Sequence, residues 1–106
     1  MSSNVKLKNP SSKYVADMRN YLRISVNKLD AEIIDLVNAA RADLVFSGVS
    51  ADHVLDEKDP LIKMAVRTYV RAEFGLDNDD SEKYRAAYSR LKDSLSLSLA
   101  YTNPKR

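Results

Sequence analysis

Cysteine is missing from this 106-residue chain, and that single absence removes disulfide frameworks, thiolate metal sites and cysteine nucleophiles together. Glycine and proline are scarce, two and three residues, which is too little turn chemistry for a fold of many strands. Tryptophan is absent and histidine occurs once, at His53. There is no glycine-rich phosphate loop and no helix with metal-ligand spacing, so neither catalysis nor a cofactor nor a metal is expected. No apolar run approaches the ~18 residues that cross a bilayer, and Met1 to Ser12 lacks the apolar centre of a signal peptide. A soluble intracellular protein, without membrane contact, is the expectation.

What is present is helical material of one-domain size, with 44% apolar residues. The net charge of +2 is unevenly distributed. Lys6, Lys8 and Lys13 stand without an acid before residue 15, and Lys105 and Arg106 close the chain, which leaves −3 for the middle. A slightly acidic body is a poor match to a duplex-binding domain, whose cations must neutralise several phosphates.

Residues 1–13 hold few apolar side chains and read as a flexible arm. Val15, Met18, Tyr21 and Leu22 then recur at helical spacing, with Ser12 as a candidate N-cap. Ile24, Ser25 and Val26 mark a break. Leu29, Ile33, Leu36, Val37, Ala40 and Leu44 form the longest apolar stripe, which Asn27 or Asp30 can cap. Early acids, a late Arg41 and Gly48 as a stop agree with the helix dipole and with helix termination. The polar stretch from Gly48 to Pro60 reads as a loop with one short extended piece, pinned by Val54 and Leu55.

Asp59 and Pro60 predict a sharp helix start, and Gly75 its end. Leu61, Ile62, Ala65, Val66, Tyr69, Val70 and Phe74 cover more than half the circumference, so this helix should be central. Lys63, Arg67 and Arg71 line a narrow polar stripe opposite, a candidate surface for acids of a neighbouring subunit such as Asp35 or Asp43. Asp79, Asp80 or Ser81 can cap a last helix from about Glu82 towards residue 98. The acids Asp77, Asp79, Asp80 and Glu82 lack the spacing of a calcium loop and are better explained by capping. Tyr84, Tyr88, Leu91, Leu95 and Leu99 carry the helical register, but Ser94-Leu-Ser-Leu-Ser-Leu also alternates like a strand; for 94–100 helix is favoured over strand, since no other segment offers a strand partner.

The fold class expected is therefore all-α, a small bundle of about four helices over residues 14–100, with the N-terminal arm and a basic C-terminal tail at 101–106. Six tyrosines against two phenylalanines favour interfaces, because tyrosine buries a ring and keeps a polar tip. Tyr84 and Tyr88 are equally readable as half-buried core residues. Leu97 lies off the helical stripe, and an exposed apolar strip of that kind marks contact with another protein. His53, among Asp52, Asp56 and Glu57, reads as a solvated loop residue without a role.

Val15-Ala-Asp-Met-Arg-Asn-Tyr-Leu-Arg-Ile, the Asp30 to Ala42 helix, Pro60-Leu-Ile-Lys-Met-Ala-Val with its continuation to Phe74, and Tyr88 through Leu95-Ser-Leu-Ser together resemble the phage head-tail connector family, also described as adaptor or DNA-packaging proteins. The resemblance implies a ring-forming subunit, commonly dodecameric, below the portal protein of a tailed-phage head. Such a ring extends the DNA exit channel, with DNA as its passing content, and presents a surface to a downstream stopper or tail protein. It implies a virion protein of the head–tail interface, made in the host cytoplasm. By the same resemblance Leu91, Leu95, Leu97, Leu99, Tyr101, Lys105 and Arg106 would engage the portal; the residues themselves, apart from the resemblance, offer Asp35, Asp43, Lys63, Arg67, Arg71 and Tyr88 as a contact with a neighbouring subunit. Two other readings stand beside it, a small helical DNA-binding regulator, motivated by the basic ends, and a helical interaction module.

Overall fold

Six helices make up the regular structure of the computed structural model, which describes residues 7–75 and 79–105. They are α1 (Ser12–Tyr21), α2 (Asp30–Phe46), α3 (Ala51–Val54), α4 (Pro60–Glu73), α5 (Ser81–Ser96) and α6 (Leu99–Thr102). The chain is all-α, and four of the helices are long enough to build a bundle. Expectations resting on residues 1–6, Asp77 and Arg106 lie outside the described residues.

The caps explain where each helix starts and stops. Ser11, one residue earlier than expected, caps α1 by accepting the Tyr14 N–H at 3.1 Å. At the other end Arg23 takes a left-handed conformation (φ 61°), and the Arg23 and Ile24 amides return to the carbonyls of Asn20 and Arg19. Helix α2 begins without a side-chain cap from either Asn27 or Asp30: the Asn27 carbonyl accepts the Asp30 amide, and Asp30 instead accepts Arg19 Nε at 2.7 Å. Gly48 (φ 112°) ends α2, with its own amide bonded to Val45 and that of Val49 to Leu44, so the turn that stops the helix also buries Val49. Asp59 behaves as predicted, accepting the Leu61 and Ile62 amides at 2.9 and 3.1 Å ahead of Pro60.

Two short segments differ from the sequence reading. The loop after Gly48 holds one helical turn, α3, rather than an extended piece, because the Ser50 carbonyl accepts the amides of both His53 and Val54. The expected 94–100 ambiguity resolves to helix through Ser96, a break at Leu97 and Ser98, and a second helical turn, α6.

Helix α4 is central, packed against α2 on one side and α5 on the other, while α1 crosses α2. Gly75 at the end of α4 donates its amide to Glu32 at the start of α2, and Glu73 accepts Arg85 from the start of α5. Both flanking helices therefore run antiparallel to α4. Ile33, Val37, Ala40 and Leu44 of α2 are completely buried, as are Ala65, Val66 and Val70 of α4. Burial of each Val, Leu or Ile side chain stabilises the fold by about 1.5–3 kcal/mol before entropy is counted. This seam is the core.

Residues 8–11 of the expected arm and 101–105 of the expected tail are tied to the body. Pro10 is buried, the Lys8 carbonyl accepts Arg41 Nη1 at 3.0 Å, and Asn9 pairs with Asn38. Residue 101, expected to open the tail, lies inside α6, and its ring packs against the core. Backbone polar groups and charged side chains explain this where hydropathy does not, since both segments dock through hydrogen bonds.

Candidate functional site

The cationic stripe of α4 forms as expected, but each member has a partner within the chain. Lys63 Nζ lies 6.0 Å from the centre of the Tyr14 ring and 3.9 Å from Asp17. The Arg67 guanidinium sits 4.8 Å over Tyr21, and that of Arg71 5.4 Å over Tyr84. A cation over an aromatic face contributes about 0.5–1 kcal/mol where water still reaches it. The stripe thus ties α1 and α5 to α4 and leaves all three cations partly exposed along one line.

Asp43 and Tyr88, both expected at a contact with a neighbouring subunit, meet each other within the chain. The Tyr88 hydroxyl donates to Asp43 at 2.6 Å, and Lys92 Nζ approaches the same carboxylate oxygen at 3.2 Å. Burial first, then this bond and the adjacent negative charge, push the Tyr88 phenol well above its ordinary range. The Tyr88 ring also packs edge-on against Tyr69, at 5.1 Å between centres. Asp35, in contrast, is exposed on α2.

A third cluster escaped the sequence reading. Arg41, assigned there only to the end of a helix, is 2% exposed. Its guanidinium lies 5.3 Å over the Tyr14 ring, Nη2 is 3.5 Å from Glu57, and Nη1 holds the Lys8 carbonyl. Glu57 in turn accepts the Ser11 amide at 2.8 Å and the Ser11 hydroxyl at 2.6 Å. Burial works against the ionised Glu57, but the two Ser11 bonds and Arg41 outweigh it and hold its carboxyl below the usual range. Burial pushes the Tyr14 phenol up to about 12, against the opposing pull of Arg41. A small residue before an apolar stretch gives no hint that a distant arginine will be covered by it, so no sequence signal pointed here.

The C-terminal docking set divides. Leu95 is buried, Leu91 and Tyr101 pack partly against the core, and Leu97 and Leu99 are 84% and 76% exposed. Lys105 is exposed, and its ammonium pairs with Asp56 at 2.7 Å. Tyr101 donates its hydroxyl to Asp59 at 3.0–3.1 Å, and burial followed by that bond raises its pKa. His53 is not a free loop residue: Nε2 donates to the Asn103 carbonyl at 3.0 Å, and its ring leans on Tyr101.

Phe46 is the most exposed large apolar side chain described, at 89%, and Leu61 is 44% exposed. Its position two residues beyond Leu44, off the buried stripe, is the signal that would have found Phe46. With α2 and α5 both ending where α4 begins, Phe46, Leu61, Leu97 and Leu99 all lie towards one end of the bundle. Val26 and Leu29, at the other end, are 49% and 36% exposed. Scattered apolar exposure is ordinary, but several large residues gathered at one end mark a place for another protein.

Comparison with known families decides between a generic helical module and something narrower, because the family model described as phage connector protein matches residues 15–102. The chain belongs to the phage connector proteins. The match runs from within α1 through α6 and takes in the Asp43, Tyr88 and Lys92 contact whole, while Lys8, Ser11, Tyr14, Asn103 and Lys105 lie outside it. Membership makes the connector a structural protein of phage assembly rather than an enzyme. Among the described residues no group of acids and histidine is placed to hold a metal ion, and no helix is long and apolar enough to cross a membrane. No curated protein and no solved structure matches the connector.

Proposed function

We propose that the connector is a head-to-tail adaptor subunit of a tailed phage, assembling with copies of itself into a ring beneath the portal. The ring extends the channel through which DNA passes and offers its far side to a stopper or tail protein. The protein then resides at the head–tail interface of the virion, after assembly in the host cytoplasm. The observation that carries this reading is the apolar end: Leu97 and Leu99 stand in solvent on a chain whose family is one of connectors.

The C-terminal segment is the portal-docking element in this proposal. Leu97 and Leu99 supply apolar area, Lys105 and Arg106 supply charge, and Leu91, Leu95 and Tyr101 anchor the segment to the body. A cyclic ring needs two different complementary patches per subunit. The partly exposed stripe of Lys63, Arg67 and Arg71 serves as one and the exposed Asp35 as part of the other. Asp43 and Tyr88 act indirectly, by fixing α5 against α2.

Replacing both Leu97 and Leu99 with serine tests the docking role without touching the core. The double variant should melt like the parent and bind the portal of the same phage at least about tenfold more weakly, since each leucine contributes on the order of 1.5 kcal/mol or more when covered. Undiminished portal binding would remove the segment from the interface. Sedimentation of Arg67→Glu, Arg71→Glu should show weaker ring assembly, more so at low salt, and unchanged assembly would remove the stripe.

A further inference from the structure

Tyr84, Tyr88, Leu91, Leu95 and Leu99 follow one another at the spacing of a single face of one helix. The first four obey that pattern: Tyr88 and Leu95 are buried, Tyr84 and Leu91 half-buried. Leu99 breaks it, at 76% exposed. The cause is one residue. Leu97 is still helical (φ −95°, ψ −5°), Ser98 is extended (φ −90°, ψ 124°), and the chain is helical again from Leu99.

The turned-back segment is held by an unusual underside. Among the described residues, every polar tie it makes to the body goes to residues 50–59, the stretch between α2 and α4. The Ser50 amide donates to the Tyr101 carbonyl at 2.9 Å, and His53 Nε2 to that of Asn103 at 3.0 Å. Asp52 accepts the Lys105 amide and Asp56 its ammonium, both at 2.7 Å. Asp59 accepts the Tyr101 hydroxyl. No residue of α6 is fully buried, and its leucine faces outward. Helices normally dock by their apolar side; this one docks by hydrogen bonds and one tyrosine ring.

We propose that α5 and α6 are two halves of one helix, kept bent by the clasp on residues 50–59, and that the C-terminal segment is a latch that straightens about Ser98. Rotation at that residue alone would carry the helix from Ser81 to Thr102, about 33 Å at 1.5 Å per residue. Leu99 would then join Leu91 and Leu95 on one face and project past the end of the bundle. Bent is the resting state, because straightening gives up the clasp and the Tyr101 packing. A partner that covers the lengthened face reverses the balance. The consequence for portal docking rests on the function proposed above; the latch itself does not.

The absence of cysteine makes the test direct. Spin labels on Lys58→Cys and Ala100→Cys, both exposed positions, measure the distance across the clasp. In the parent it should be short and narrowly distributed. Breaking the clasp with Asp56→Ala and Tyr101→Phe should lengthen it by roughly 10 Å and raise far-ultraviolet helicity, as a straight helix requires. Ser98→Ala should shift the same distance in the same direction with the clasp intact, which guards against a poorly folded clasp variant. An unchanged distance, or a broadened one with falling helicity, would overturn the latch. Adding portal to the labelled parent separates the two ideas: binding with a short distance retains docking and rejects straightening on docking, whereas a latch that opens in the variants without portal binding rejects docking alone.

Discussion

The seam between α2 and α4 and the ring of contacts around residues 50–59 hold this protein together by opposite means. In the seam, Ile33, Val37, Ala40 and Leu44 meet Ile62, Ala65, Val66 and Val70 with almost no exposure. Around residues 50–59, Glu57 holds the N-terminal segment through Ser11 while Asp52, Asp56 and Asp59 hold the C-terminal one. Apolar burial is non-directional and cooperative, so the seam melts as a unit. Charged and polar ties near solvent are screened, contribute little each and open locally. One region fixes the fold; the other decides where the two chain ends lie.

The contrast can be broken most severely from the seam. Leu44→Ala should cost about 2–5 kcal/mol of unfolding free energy, read from a denaturant titration, because the site is closed on all sides. A loss below about 1 kcal/mol would mean that the seam is looser than its burial implies. Alkaline titration comes next. Tyr14 keeps its proton in the fold up to about 12 but ionises near 10 when unfolded, so its contribution is complete below pH 10 and is lost as pH rises through 12. The loss reaches about 2–3 kcal/mol, and Tyr14→Phe should remove that share of the slope.

Arg41→Met examines where the two regions touch. It keeps volume but cuts the guanidinium from Lys8, Glu57 and Tyr14, and should cost about 1–3 kcal/mol. Hydrogen exchange should quicken at residues 8–11 and stay slow in α4; equal protection in both would contradict the arm's dependence on Arg41. The smallest effect is expected from acid. Asp52 is held low by the Ser50 hydroxyl and then the Lys105 amide, Asp56 by the Lys105 ammonium and then the Lys58 amide, and Glu57 as described. Their contribution is complete above the ordinary carboxylate pKa of about 4 and fades as pH falls through the lower folded values. Amides of Ser11 and Lys105 should exchange faster there while the α2–α4 seam remains protected. Simultaneous opening of everything would erase the distinction between the regions.

Much of this was legible in the residues. The four long helices follow from apolar spacing, and the Asp59-Pro60 start and the Gly48 and Gly75 stops from backbone chemistry, because those signals are local. The exposed Leu97 was legible for the same reason. What stayed hidden depends on distant pairing. Arg41 reads as a solvated cation until residues 8–11 fold over it, 33 positions away for the Lys8 bond. The helical turn α6 reads as the end of α5 or as a strand, since its position is set by the acids of residues 50–59. Asp43 and Tyr88 were singled out, yet their mutual bond spans 45 residues and leaves no trace in periodicity.

The shared direction of α2 and α5 has one more outcome. Both finish beside the start of α4, so the molecule has a dissimilar top and bottom, with Phe46, Leu97 and Leu99 crowded at one of them. Rotation about the axis of a ring leaves unchanged any direction that runs along that axis. A closed circle of such units, set with their bundles along its axis, would carry its oily tips all on the same brim, and the collar would have only one way up.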